Sequence, residues 1–204
     1  MAKFALNIFF SGPDLSMIAL CSQKVVIVKH AAGGGKKLAW VTFNPFQKNK
    51  IEWTEEYALY ASTGETQNGA KILKMSDCVA KEQTNAHFDK GWFSSFAPYD
   101  LPANTYKLTN KVTAPRVLTF GLAQSVLVNG TNFDNHPINA IPVATGHSAT
   151  MSPIEKISVY LAANLDSSTV LSEVDSPTID LTYSGDITEL SIEYNPDKGM
   201  FYPC

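Results

Sequence analysis

Gly146-His147-Ser148-Ala149-Thr150 opens like the nucleophile elbow of a hydrolase, in which two glycines flank a serine on a tight strand-to-helix turn. Thr150 stands where the second glycine is required, so the motif fails and no acyl-transfer centre is expected. Gly33-Gly34-Gly35-Lys36-Lys37 offers backbone amides and two ammonium groups to a phosphate. It lacks the second glycine, the Lys-Ser/Thr pair and the helical continuation of a phosphate cradle, and is read as a flexible hairpin turn. His30, His87, His136 and His147 form no i, i+4 ligand pair, which favours solvated loop histidines over metal ligands or bases. Cys21, Cys78 and Cys204 are odd in number and far apart, with no Cys-x-x-Cys pair, so free thiols are expected and neither a disulfide framework nor a zinc site. Asn132-Phe133-Asp134-Asn135-His136 clusters oxygen ligands as a weak hard-cation site would, but an ordinary polar loop is the expectation. No catalytic residue and no metal ligand is assigned, and enzymatic activity is not expected.

One segment resists a bland reading. Phe88, Trp92, Phe93, Phe96, Tyr99 and Tyr106 place six rings within residues 88–106, a stretch rich in Pro, Ser and Gly. Rings in a loop are not needed for a sheet core, and they stack on planar ligands and sugar faces or sit at a lipid interface. The competing explanation is a compact loop that caps the core with its own rings. The reading adopted is a non-enzymatic small-ligand-binding protein whose site comprises Trp92, Phe93, Phe96, Tyr99, Asp100, Asn104 and Tyr106. Its ligand would be apolar or planar, resembling a pigment or a lipid. In a first alternative, a lectin-like carbohydrate-binding module, the same rings stack on sugar while Asp100 or Asn104 accepts hydroxyl hydrogen bonds. A second alternative is a membrane-active or pore-forming β protein, weakened because Asp89 and Asp100 offset the flanking Lys90 and Lys107.

Charge narrows the partners. The net charge of −3 hides an uneven chain: residues 1–113 carry 13 Lys against 9 acidic residues, and residues 114–204 carry 3 basic against 10 acidic. With Arg116 as the single guanidinium, phosphate and base-edge recognition is poorly served and no nucleic-acid partner is expected. The apolar run from Phe4 to Phe10 is interrupted by Asn7 and reads as a first strand rather than a signal peptide; no stretch approaches the ~20 apolar residues of a spanning helix. A cytoplasmic protein is therefore expected, and the Asn129-Gly130-Thr131 glycosylation acceptor matters only for a secreted one.

The elements that must position these groups are strands. Period-two alternation runs through Phe4, Leu6, Ile8 and Phe10, through Ile157, Val159 and Leu161, through Ile179, Leu181 and Tyr183, and through Leu190, Ile192 and Tyr194. It also runs through Ile51, Trp53, Tyr57 and Leu59, where Glu55 is the exception. Val25-Val26-Ile27-Val28, flanked by Lys24 and Lys29, suits a strand covered on both faces. Turn signals such as Ser11-Gly12-Pro13, Asn68-Gly69, Asn129-Gly130 and Ser184-Gly185 punctuate the runs. The expected fold is all-β and mainly antiparallel, a sandwich or sandwich-like barrel with at most one or two short helices, one of them within residues 76–90. Residues 1–204 are read as a single domain. The recurrence of Ile51-Glu52 with Tyr57 in Ile154-Glu155 with Tyr160 raises the further expectation of two related halves, 1–97 and 116–204, joined by the Pro-rich segment 98–115. Exposed edge strands and abundant aromatics make a homodimer a reasonable expectation.

Overall fold

The computed structural model describes residues 2–172 and 176–204. In chain order its strands are β1 (Lys3–Phe9), β2 (Gln23–Ala32), β3 (Lys36–Leu38), β4 (Val41–Phe43), β5 (Lys48–Thr54), β6 (Ala58–Ser62), β7 (Ser76–Val79), β8 (Thr84–Asp89) and β9 (Trp92–Pro98). There follow β10 (Tyr106–Asn110), β11 (Val117–Val128), β12 (Thr131–Pro137), β13 (Asn139–Ala144), β14 (Ser148–Ala163), β15 (Val170–Leu171), β16 (Ile179–Thr182), β17 (Glu189–Asn195) and β18 (Met200–Pro203). Among the described residues the one helix is α1 (Gly12–Leu20), and no helix is long and apolar enough to cross a membrane.

The strands form two mainly antiparallel sheets in a sandwich-like arrangement, one of them curled into a half-barrel. The first sheet runs β15-β3-β13-β11-β5-β1-β17-β18, with β12 and β6 also on β11 and β7 on β6. The second runs β4-β2-β14-β10-β8-β9, with β16 on β14. Alternation supplies the core. Phe4, Leu6, Ile8, Ile51, Trp53, Phe120 and Leu122 face inward from the first sheet against Val25, Ile27, Phe88, Leu108, Ile157 and Val159 from the second. Val26 and Val28, on the other face of β2, are buried in a satellite cluster with Ala39, Tyr160 and Leu171, so this strand is covered on both faces as its apolar run predicts. Strands from either side of residues 98–115 pair directly, β1 with β17, β11 with β5 and β6, and β14 with β2. Ile51 lies in the main core, whereas Ile154 is exposed.

Several local expectations are corrected. Residues 76–90 form β7, a turn and β8 rather than a helix, because β6 offers ladder partners to residues 76–79 and Gln83 takes a positive φ of 54°. The helix begins instead at Ser11-Gly12-Pro13-Asp14, a segment whose Gly-Pro pair signals a turn. There Ser11 Oγ accepts from the Asp14 amide while Asp14 Oδ2 accepts from the Ser11 amide, a reciprocal cap on α1. The run Ile51–Leu59 is two strands, broken at residues 55–57. Gly33-Gly34-Gly35 does not close a hairpin: β2 belongs to the second sheet and β3 to the first, so the glycines carry the chain between sheets. A Cβ on Gly33 would stand 2.0 Å from the Thr150 carbonyl and one on Gly35 2.6 Å from that of Ala140, and both have positive φ. His30, His87 and His136 lie on strands and are partly buried, not in solvated loops. Asn132-Phe133-Asp134-Asn135-His136 is β12, an extended strand rather than a loop, and no group of three or more His, Cys, Asp or Glu gathers as a metal site among the described residues.

Candidate ligand-binding site

The aromatic segment is a β-hairpin and its continuation, not a free loop, and it disperses its rings. Trp92, 61% exposed, sits at the tip between β8 and β9. Phe93 turns inward against Phe88 and Phe120, with ring centroids 4.9 and 6.5 Å away. Phe96 packs on the core edge beneath the Lys81 ammonium, 4.9 Å from its ring centre. Tyr99 is exposed, and Lys107 Nζ lies 3.7 Å from its ring centre. Asp100 and Asn104 are exposed, and the Asn104 amide donates to Glu82 at 2.8 Å. Of the seven site residues read from the sequence, Tyr106 lines a cavity with Tyr57 and Glu82.

That cavity, about 560 Å³, opens where β10 of the second sheet meets the rim of the first. Its wall combines Tyr57, Tyr106, Val79 and Ala80 with the carboxylates of Glu55, Glu56 and Glu82, and among the described residues no cationic side chain lines it. The two tyrosine rings are 6.0 Å apart at 54°. Burial, then the charges of Glu82 and Glu55, push the Tyr106 hydroxyl up to about 12, so it remains a neutral donor.

The break in the β5–β6 run makes this site. Strand β11 pairs with β6 through Thr119–Ala123 and with β5 through Leu127 and Val128, so residues 55–57 must cross from one register to the next. At the crossing β11 supplies no ladder partner to residues 55–57, and the Gln124 side-chain amide donates to the Thr54 carbonyl at 2.6 Å. Freed from the ladder, Glu55 and Glu56 are exposed on the cavity wall while Tyr57 turns inward.

Behind Tyr57 lies a buried charge. On β2, Lys29 shares the inward face with Val25 and Ile27, and its side chain is 0% exposed. A bulge in β14 places Ile154 opposite His30 but Ile157 opposite Lys29, leaving Glu155 and Lys156 between them without a partner on β2. Glu155 turns inward and accepts hydrogen bonds from Lys29 Nζ at 2.6 Å, from Trp53 Nε1 at 3.4 Å and from the Tyr57 hydroxyl. The rings of Phe4, Trp40, Trp53 and Tyr57 stand with their centres 5.1 to 5.9 Å from the ammonium. Each ring face recovers ~0.5–2 kcal/mol of the hydration the cation has lost. Burial lowers Lys29 to about 8 despite the opposing pull of Glu155, so at neutral pH it keeps its proton. Burial and the Glu155 charge hold the Tyr57 hydroxyl far above its ordinary range. Its single proton goes to Glu155, and the buried Gln124 Oε1 beside it has no hydrogen-bond partner among the described residues.

Chemically, the arrangement is a stable polar floor under an acidic, tyrosine-lined cavity. The tyrosine hydroxyls are held protonated and the lysine amine is sealed from solvent, so neither a tyrosinate nor a free lysine amine faces the open space. The parity of the strands carried a signal for Lys29 and Glu155. Lysine follows Val25 and Ile27 at core spacing, and glutamate precedes Ile157 and Val159 at core spacing, so each is a lone charge on an apolar face that calls for the other. No family model, characterised protein or solved structure matches the chain.

Proposed function

We propose that the protein is a non-enzymatic binder of a small organic ligand carrying both an apolar or planar body and a positive charge, taken up in the Tyr57–Tyr106 cavity. The observation that carries this reading is the wall itself: two tyrosine rings and three carboxylates around about 560 Å³, with no lining cation among the described residues. Aromatic faces and carboxylates together recognise ammonium groups, and a drug-sized molecule fits a space of this volume. The sequence-based expectation of a small planar ligand is kept, with Tyr106 as its anchor and with charge added to the ligand.

Native mass spectrometry of protein from its natural source should reveal an added mass. Titration calorimetry with benzyltrimethylammonium should then show saturable binding that benzyl alcohol does not reproduce. Tyr106→Ala and Glu82→Gln should each weaken binding by about tenfold, the factor of a lost cation–aromatic or charge-assisted contact. Equal binding of the neutral and cationic probes would refute the reading. A lectin-like role is favoured by one observation, the exposed Trp92 ring at the hairpin tip. Loss of glycan-array signal on Trp92→Ala, with cavity binding untouched, would identify that role.

A further inference from the structure

A second cavity has the opposite charge. It encloses about 620 Å³ on the face of the second sheet turned away from the main core. His30 and Val28 of β2, Lys156 and Ser158 of β14 and Asp180 of β16 form one wall, and Lys36 and Lys37 of β3 with Leu171 and Ser172 stand across from them.

His30 Nε2 lies 2.7 Å from Ser158 Oγ, and Ser158 Oγ donates to Asp180 Oδ1 at 2.6 Å. This gathers serine, histidine and aspartate in the wrong order for nucleophilic catalysis. The serine proton goes to the carboxylate, so the histidine nitrogen can only donate to the serine oxygen, and no base activates the hydroxyl. Asp180 is further occupied by Lys156 Nζ at 2.6 Å, and these two hydrogen bonds hold its carboxyl below the usual range. Lys36 and Lys37 make no ion pair among the described residues. Among the described residues, three ammonium groups therefore line the cavity against one satisfied carboxylate, beside the apolar surface of Val28 and Leu171.

We propose that this cavity binds a soluble phosphate monoester, its phosphoryl group held by Lys36, Lys37 and Lys156 and its organic body resting against Val28 and Leu171. A dianion with three terminal oxygens matches three ammonium point charges, which a single carboxylate does not. The space is far larger than an inorganic ion needs, so the ligand has a body. His30 is lowered by burial and by the charges of Lys37 and Lys156, with Asp180 opposing. Those are the charged groups facing the ring from β3, β14 and β16. A bound dianion offsets the lysines, so binding raises the proton affinity of His30.

The test is titration calorimetry of the full chain with glycerol 3-phosphate and with inorganic phosphate. Parallel sedimentation uses phosphatidylcholine vesicles containing phosphatidic acid. Saturable binding of glycerol 3-phosphate, tighter than that of inorganic phosphate, is expected. It should weaken by about tenfold for each lysine removed in Lys36→Gln and Lys37→Gln, the factor a charge-assisted hydrogen bond carries. A Lys81→Gln/Lys90→Gln variant, with the same charge change away from the cavity, should bind as the parent does. Histidine NMR should show the His30 midpoint rising on saturation. No binding, binding equal in all variants, binding of inorganic phosphate as tight as that of the ester, or binding to vesicles alone would each overturn the proposal.

Discussion

Glu155→Gln tests whether the buried lysine is a charged partner or merely a packed side chain. In the parent protein Lys29 titrates at about 8, so below that pH it stays an ammonium beside its carboxylate. Removing the counter-ion while keeping the shape leaves an unpaired cation among four aromatic rings, and the amine must release its proton on folding. That release costs more as pH falls below 8, by about 1.4 kcal/mol per pH unit. The variant's deficit from this source is therefore about 1 kcal/mol at pH 7, about 3 kcal/mol at pH 6 and close to zero by pH 9. A pH-independent offset of about 1 kcal/mol is added, because Tyr57 and Trp53 then donate to a neutral amide oxygen. Urea unfolding of both proteins across this range, with unchanged m-values, reads the difference directly. A deficit that stays constant with pH would refute the assignment of Lys29 and Glu155 as an ion pair.

Other outcomes follow from the same structure. In the parent, the lowered Lys29 means that the unfolded chain binds an extra proton between pH 8 and 10.5, so this residue makes stability rise with pH across that window. Tyr57 and Tyr183, whose hydroxyls are raised by burial and by Glu155, hold their protons when folded, so stability should fall again above pH 10; urea midpoints check both limbs. Gly121→Ala should destabilise by about 3 kcal/mol or be accommodated only with a shift of β13, since its Cβ would stand 2.0 Å from the Asn139 carbonyl; thermal unfolding measures it. Ser11→Ala should cost about 1 kcal/mol by removing half of the reciprocal cap on α1. An aromatic disulfide reagent near pH 8 should modify the exposed Cys21 and Cys204 quickly and Cys78 slowly, because burial and then Asp77 push that thiol up to about 11.

Much of the architecture is written locally. A period-two pattern can bury one face only as a strand, so Phe4, Leu6 and Ile8 on β1, or Ile157, Val159 and Leu161 on β14, announce both element and core. Asn129-Gly130, with positive φ at both residues, likewise announces the hairpin between β11 and β12. Local reading failed where a partner strand decided. The loose helical spacing of residues 76–90 yields to ladder bonds from β6, and the Pro-, Ser- and Gly-rich aromatic segment is drawn into a hairpin because β10 offers its edge to β8.

The candidate sites divide the same way. Sequence alone determined that Tyr106 and its neighbouring rings were available, whereas it reads Lys29 only as the flank of an apolar run and Glu155 only as part of a recurring pattern. Only the tertiary structure joined those two, 126 positions apart, because the β14 bulge sets which residue of β14 stands opposite Lys29. It alone also placed the acidic cavity at the point where β11 exchanges β6 for β5, and brought Lys36 and Lys37 across from His30 by passing the chain between sheets at Gly33-Gly34-Gly35. Side-chain periodicity is a property of the local backbone, whereas register and sheet-to-sheet placement depend on segments distant in the chain, and both candidate cavities lie where those segments meet.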